Sequence, residues 1–124
     1  MSDDEEFQDI AEAAFDLARA GETDRLLAFV AAGLPVDLAN GSGDSLLMLA
    51  AYHGHAPTVT ALIGAGAAVD RCNDRQQSPL AGAVFKNYED VVSVLIDAGA
   101  DPDAGTPSAR QTAAMFDRDT FTDP

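Results

Sequence analysis

The chain has 124 residues, the size of one domain, which excludes a two-domain enzyme within this sequence. Hydrophobic residues make up 47% and charged residues 23% of the chain, so the composition predicts a folded protein with a core and excludes wholesale disorder. The 21 Asp and Glu residues against seven Lys and Arg residues give a formal net charge of −14. Because such a charge repels phosphates and anionic headgroups, we expect no nucleic acid and no membrane among the partners.

The cysteine content and the first residues predict a cytoplasmic protein. The single cysteine, Cys72, cannot form an internal disulfide. Met1 is followed by a polar, acidic segment, Ser2 to Glu6, where a leader peptide would have basic and then apolar residues. No stretch reaches the roughly 18 uninterrupted apolar residues of a membrane-spanning helix.

An internal repeat organises the chain, and its period is the separation between Gly21 and Gly54. The same period separates Gly33, Gly66 and Gly99 from one another. It relates three further sets of positions: Val36 to Val69 to Pro102, Ser45 to Ser78, and Ala50 to Ala83. Agreement at so many positions predicts tandem copies of one structural unit.

The first predicted unit, residues 1–39, is interpreted as an N-terminal capping unit. It shares the period but lacks the Ser-Pro-Leu type of helix start that the later units have. The acidic residues at its beginning suit the start of a helix, where the helix dipole favours negative charge. The polar segment Ser2 to Glu6 also suits an outer face turned to water.

The next two predicted units, residues 40–72 and 73–105, each read as a helix, a tight turn, a second helix and a loop. In the second of these units, Ser78 is an N-cap candidate and Pro79 suits the first helical position. That helix is expected to run to Lys86, with Asn87 as a left-handed C-cap. A second helix is expected from about 89 to 98, where one apolar stripe contains Val91, Val92, Leu95 and Ile96.

The last predicted unit, residues 106–124, has two open registers. A capped helix starting at Thr106-Pro107 would come about five residues earlier than the period requires, whereas aligning Ser108 with Ser45 leaves it about three residues early. We expect the first helix to run through about Phe116. Only a stub of the second helix, Asp119 to Phe121, is expected to follow, so we interpret the unit as a truncated C-terminal cap.

In this register the chain resembles the ankyrin repeat family. The match is clearest from Gly43 to His55 and from Gly64 to Asp70, and the resemblance covers about residues 7–116. Three positions of the third unit depart from the family pattern: Gln76, Ala81 and Asn87. The resemblance implies an all-α fold, a solenoid of stacked helix-turn-helix units with projecting β-turn or hairpin loops.

The resemblance also implies where a partner would bind. Contacts are expected on the loop tips and on the two positions after the paired small residues of each first helix. Carried onto this chain, these positions are Arg19, Gly41, Ser42, Asp44, Tyr52, His53, Asp74, Arg75, Gln77, Phe85 and Lys86. Tyr52 and Phe85 lie one period apart, so they share one side of adjacent units and would form an aromatic anchor if exposed. The alternative for Phe85 is inward packing against Phe116.

Chemistry based on histidine or cysteine is not favoured. His53, His55 and Cys72 do not supply the three or four converging ligands that zinc needs. The resemblance places His55 against loop backbone and His53 on the exposed concave side. Cys72 falls near a predicted loop tip, where incidental exposure is the favoured interpretation.

Nucleotide binding and hydrolysis are not favoured either. Gly64 and Gly66 precede Asp70 in a way that resembles a dinucleotide-binding turn, but they follow a helical stripe instead of a strand. Ser45 and Ser78 are better explained as helix caps than as nucleophiles. We therefore expect no enzyme activity, no cofactor and no metal.

These observations predict a non-catalytic module that binds an unknown protein partner through its concave surface. The acidic surface would attract a partner with a basic face, although solubility alone also explains the excess of acid. The alternative function is a structural or regulatory subunit that self-associates, as a weak homo-oligomer, or docks on an enzyme. It would use the unfinished C-terminal end, which carries Met115, Phe116 and Phe121.

Overall fold

The computed structural model describes residues 3–118 and 120–121, and this part of the chain folds into seven α-helices without a strand. The helices are α1 (Asp3–Ala20), α2 (Thr23–Ala31), α3 (Leu46–Tyr52), α4 (Ala56–Gly64), α5 (Pro79–Lys86), α6 (Glu89–Asp97) and α7 (Ala109–Met115). Two isolated β-bridges, Ala39 with Ser45 and Gly105 with Ser108, close loops before helices. The prediction of an all-α fold is confirmed.

The helices stack in two rows. α1, α3, α5 and α7 form one row, in which each helix packs against the next, and α2, α4 and α6 form the second row. Each of α1, α3 and α5 also packs against the second-row helix that follows it in the chain. This is the expected solenoid, in which neighbouring units cover the apolar faces that one pair cannot bury alone. The boundaries between the units remain predictions.

Serine hydroxyls begin three helices of the first row. The Ser45 and Ser78 side chains accept hydrogen bonds from the backbone N–H groups three residues later, at 3.1 and 3.0 Å. Ser108 does the same for α7, and the Gln111 side chain accepts a hydrogen bond from the Ser108 N–H at 2.8 Å to complete a capping box. Of the two open registers of the last unit, the structure therefore adopts the one that aligns Ser108 with Ser45.

The core runs the length of the stack and is built from small and branched apolar side chains. The first row contributes fully buried Leu and Ala residues, and the second row contributes Val and Leu. Its fully buried members include Leu46, Leu47, Ala50, Ala51, Val59, Leu62, Leu80, Ala83, Val91 and Leu95. Alanines in α3 and α5 allow the first-row helices to approach closely, while each buried Leu contributes roughly 1.5–3 kcal/mol.

His55 makes a backbone contact between units, but not with the loop backbone that the resemblance implies. Its Nε2 lies 2.7 Å from the Arg19 carbonyl oxygen, one of the last carbonyls of α1, so it contacts the end of a helix and not a loop. The imidazole also covers Gly21, which has φ +73°, and a Cβ there would lie 2.5 Å from His55 Nδ1. Tyr88 covers Gly54 in the same way one unit later.

Three expectations from the sequence need correction or restriction. Ile96 does not join the buried stripe of α6: it is 40% exposed, because α4 covers one side of α6 and no described helix covers the other. Cys72 is half-buried, and burial raises the pKa of its thiol, with Asp70 as a second cause. Residues 120 and 121 form a turn and not a helical stub, and Asp119 lies outside the described residues.

The outer face of the first unit is less polar than expected. Glu5 and Glu6 are exposed, but Phe7 and Ile10 are also exposed on α1, at 46% and 45%. Among the described helices, none has the length and apolar character to cross a membrane.

Candidate functional site

The loop tips are shaped by two asparagines that lie one period apart, Asn40 and Asn73. The Asn40 Oδ1 accepts hydrogen bonds from the N–H groups of Ser42 and Asp44, both at 3.0 Å. The Asn73 Oδ1 accepts equivalent bonds from Arg75 and Gln77, again at 3.0 Å. Each asparagine side chain therefore folds its loop into a compact turn.

Further hydrogen bonds join each loop to the next. The Asn73 Nδ2 donates to Asp44 Oδ1 at 2.8 Å and to Gln77 Oε1 at 2.9 Å. The Asp74 N–H donates to the Ser42 carbonyl at 3.1 Å, and the Thr106 N–H donates to the Gln76 carbonyl at 2.9 Å. The three loops thus form a continuous row beside the first-row helices.

A polar cavity of about 300 Å³ lies between this row of loops and the ends of α1 and α3. Cationic, acidic, amide and aromatic side chains share its wall. Its lining residues are Arg19, Asn40, Ser42, Asp44, Met48, Leu49, Tyr52, His53, Arg75 and Gln77.

An apolar cavity of about 200 Å³ lies one unit further along the stack. It is lined by Tyr52, Gln77, Ala81, Gly82, Phe85, Pro107, Thr112 and Met115. Tyr52 and Gln77 line both cavities. We refer to the two cavities together as the groove.

The two aromatic side chains of the groove are positioned by different contacts. The Tyr52 ring is half-buried, and the Lys86 Nζ lies 5.0 Å from its centroid. Phe85 is 53% exposed, yet its ring also makes an edge-to-face contact with Phe116 at 5.9 Å between centroids. The two alternatives for Phe85 therefore coexist, because packing against Phe116 covers one part of the ring and leaves the rest open.

Positive groups surround His53. Burial is the first cause that lowers the pKa of its imidazole below the ordinary value of 6.5, and electrostatic interactions with His55, Arg19 and Lys86 lower it further. The lowered pKa favours the neutral imidazole, whose ring can both donate and accept a hydrogen bond.

The residues selected from the sequence are distributed unevenly over this surface. Seven line the polar cavity: Arg19, Ser42, Asp44, Tyr52, His53, Arg75 and Gln77. Phe85 joins Tyr52 and Gln77 in the apolar cavity, and Lys86 lies over the Tyr52 ring. Asp74 and Gly41 are exposed and line neither cavity.

Sequence reasoning missed other residues of the groove. Asn40 and Asn73 hold the loops, and their separation by one period was a signal that could have identified them. Gly82 lines the apolar cavity, and no local motif marks it. Pro107 and Met115 also line this cavity, although the sequence assigned them to a helix start and to the C-terminal end; the packing of α7 beside α5 brings them there.

No metal site is formed by the described residues, in which no three His, Cys, Asp or Glu side chains are grouped so that they could hold an ion. The groove can offer hydrogen bonds, two arginines and an aromatic surface. This arrangement suits recognition of another molecule.

Comparisons with known proteins agree with the stacked fold. Residues 14–106 match the family described as ankyrin repeats (3 copies). The chain is also similar to the Pseudomonas aeruginosa protein PA3287, whose name describes it as an ankyrin repeat protein, with 55% identity over 56 residues. That match covers 45% of this chain and 33% of the length of the relative. The family match extends over most of the chain, and the chain belongs to the ankyrin repeat family.

Proposed function

We propose that this chain is a non-catalytic protein–protein interaction module that binds its partner through the groove. Ankyrin repeats are in general modules of this kind. The observation that carries the proposal is the junction of a polar and an apolar cavity at Tyr52 and Gln77. A surface with an aromatic anchor beside hydrogen-bonding and charged groups has the mixed character of protein interfaces.

The rigidity of the loops supports the proposal. Asn40 and Asn73 hold the loop backbones in place before a partner arrives, so binding costs little conformational entropy on this side. Tyr52 is held by Lys86 on one side and contacts His53 at 6.0 Å between ring centroids. These groups are therefore preorganised for recognition.

Affinity capture from a native cell extract tests the proposal. The wild-type chain is compared with the double variant Tyr52→Ala/Phe85→Ala, and the matched control is Phe7→Ala/Ile10→Ala, which removes exposed apolar side chains from the other end of the stack. We expect the captured partner to be lost with the groove variant and kept with the control. Capture that the groove variant leaves unchanged, with circular dichroism showing an intact fold, would contradict binding through the groove.

The remaining parts of the proposal concern chemistry and location. We propose that the chain has no catalytic activity and takes no cofactor, which agrees with the typically non-catalytic character of its family. We also propose a cytoplasmic location, and the single cysteine supports it.

A second candidate function is self-association, or docking on an enzyme, through the surface next to α6 and α7. Met115 is 65% exposed, and Phe116 and Ile96 are also exposed. Ile96 lines a cavity of about 440 Å³ together with Asn87, Glu89, Val92, Ser93, Asp97, Arg118 and Thr120. Exposed apolar groups around a cavity favour a protein contact.

Sedimentation velocity over a range of concentrations tests the self-association form. We expect a dimer at high concentration that Ile96→Ser abolishes. A monomer at every concentration would contradict self-association and would leave the groove proposal unaffected.

A further inference from the structure

The distribution of charge around the polar cavity is opposite to that of the whole chain. The chain has 21 acidic and seven basic residues. Two arginines, Arg19 and Arg75, line the polar cavity, and Asp44 is the one acidic residue among the residues that line it. Lys86 adds a third positive charge at the Tyr52 ring. The lining of the cavity therefore has more basic than acidic residues, although the molecule as a whole is strongly acidic.

The acidic residue that lines this site has a hydrogen-bond partner, and the two arginines differ in theirs. Asp44 accepts a hydrogen bond from the Asn73 Nδ2 at 2.8 Å. Arg19 is bound to Asp16 at 3.0 Å, but this ion pair is exposed, and such pairs exchange partners at low cost. The Arg75 guanidinium makes no hydrogen bond or ion pair with any residue of 3–118 or 120–121. Arg75 is thus a positive group available to a ligand.

The state of His53 agrees with this distribution. Burial is the largest cause that lowers its pKa, and electrostatic interactions with His55, Arg19 and Lys86 lower it further. A carboxylate would have raised this pKa, and none is among the causes.

The apolar cavity sets a second condition on the ligand. It begins at Tyr52 and Gln77, which also line the polar cavity, and it continues over Gly82 to Phe85. Because Gly82 has no side chain, the space between Tyr52 and Phe85 stays open. A side chain that enters there has to be large and apolar, and it lies next to whatever fills the polar cavity.

We propose that the groove recognises a short segment of a partner protein in which an Asp or Glu side chain lies close to a large apolar side chain. The carboxylate enters the cavity lined by Arg19 and Arg75, and the apolar side chain enters the cavity between Tyr52 and Phe85. This inference rests on the proposed function and deepens it by stating the chemistry of the partner. The net charge by itself predicts a basic partner face, whereas charge complementarity at the groove selects an acidic segment.

Selection of random linear peptides displayed on phage against the wild-type chain tests the inference. We expect enrichment of sequences with Asp or Glu within a few positions of Phe, Leu, Ile, Met or Trp. A dye-labelled peptide of the enriched sequence is then compared by fluorescence anisotropy with the same peptide carrying Asn or Gln for the acidic residue. Neutralisation is expected to weaken binding roughly tenfold or more, because a charge-assisted hydrogen bond is lost.

Charge reversal in the protein provides the matched comparison. Arg75→Glu is expected to weaken binding of the acidic peptide roughly tenfold. Arg25→Glu, on the exposed surface of α2, changes the net charge by the same amount and is expected to change the affinity by less than about twofold. Arg75 is exposed on a loop tip and its side chain supports no described contact, so the variant keeps its fold.

The outcomes separate this inference from the proposed function. One outcome is that the selected peptides lose binding to Tyr52→Ala/Phe85→Ala and yet contain no preferred acidic residue and bind Arg75→Glu as tightly as the wild type. That result would overturn the inference and leave the groove as the binding site. The inference would also be overturned if no peptide were enriched, since it requires a short segment to suffice. Whether the native partner binds through the groove is tested separately, by the capture experiment.

Discussion

Asn73 shows how much of the binding surface depends on one side chain. The residue is 4% exposed. Its amide oxygen accepts two hydrogen bonds within its own loop, and its amide nitrogen donates two more, one of which connects the loop to Asp44. Asn40 occupies the equivalent place one unit earlier, but its described side-chain bonds are the two that its oxygen accepts. Only Asn73 therefore requires the amide nitrogen.

This difference predicts unequal effects of the same substitution. Asn73→Asp keeps the acceptor oxygen but places a second carboxylate oxygen against Asp44 Oδ1 and Gln77 Oε1. We expect it to lower the free energy of unfolding by about 2 kcal/mol, because two donated bonds are lost and like charges meet. Asn40→Asp is the matched control and is expected to change it by less than about 0.5 kcal/mol. Urea unfolding at pH 7 measures both, and equal losses would contradict this assignment.

The lowered pKa of His53 predicts a dependence of stability on pH. In the unfolded chain the imidazole binds a proton at its ordinary pKa of 6.5, whereas in the folded chain the pKa is lower. As the pH falls through 6.5, the unfolded state binds more protons and stability decreases, until the folded pKa is passed. Above pH 6.5, where the imidazole is neutral in both states, His53 therefore causes no loss in the free energy of unfolding.

Urea unfolding from about pH 8 to pH 5 compares the wild type with His53→Gln, which cannot be protonated. We expect the wild type to lose more stability than the variant as the pH falls. Since His55 and all carboxyl groups are present in both proteins, the difference reports on His53. Parallel curves, or a larger loss in the variant, would show that its pKa is not lowered.

At the scale of the helices, α5 combines stability and recognition at one position. Gly82 is buried in α5, where a glycine costs roughly 1 kcal/mol relative to alanine. A Cβ at this position would lie 3.3 Å from Tyr52 Cδ1 and 3.8 Å from Met48 Cε. The Tyr52 ring faces the open groove, so it can move by the few tenths of an ångström required.

Gly82→Ala is accordingly expected to raise the free energy of unfolding by up to about 1 kcal/mol and to weaken groove binding. The weaker binding follows from the displaced Tyr52 ring and the smaller apolar cavity. Gly64→Ala, at the end of α4, is the control, because its Cβ would meet nothing within 4 Å and lies outside the groove. Urea unfolding and capture of the partner measure the two effects, and unchanged binding in Gly82→Ala would contradict the placement of Tyr52 in the interface.

At the scale of the whole molecule, the net charge of −14 opposes the compact state. The two ion pairs of the described residues, Arg19 with Asp16 and Arg110 with Asp103, are both exposed and offset little of this repulsion. Salt screens repulsion between surface charges more strongly as the Debye length falls from about 30 Å at 0.01 M to about 8 Å at 0.15 M.

We therefore expect the thermal unfolding midpoint to rise when sodium chloride is increased over that range. A gain of about 1 kcal/mol corresponds to a rise of roughly 2–8 °C for a protein of this size. Arg25→Glu adds to the repulsion and is expected to show a steeper rise. A midpoint that is constant or falls with salt would mean that self-repulsion does not limit stability.

Local signals explain why the helices were predictable. The expected helix over about 89–98 is observed as Glu89–Asp97, and Asn87 has φ 60° in the left-handed C-cap predicted for it. Ser78 accepts the capping bond expected of it. Each of these features depends on residues a few positions apart, so the sequence alone contains the necessary information.

The register of the last unit shows where local information ended. Helix-start signals stood at both Thr106 and Ser108, and neither excluded the other. The structure starts α7 after Ser108, where Ala109 and Ala113 are buried and the helix packs along α5. Packing along α5 and the local capping box of Ser108 with Gln111 both favour this start.

The amino-acid sequence by itself determined the repeat, the approximate limits of α5 and α6, and the side of each unit on which Tyr52 and Phe85 lie. Tertiary structure alone decided that Arg19 and Arg75 line one cavity, that Phe85 both contacts Phe116 and stays open, and that Ile96 remains exposed. The physical reason is that caps and periodicity act within a turn or two of the chain. Exposure and local charge depend instead on which distant side chains the stacking brings near.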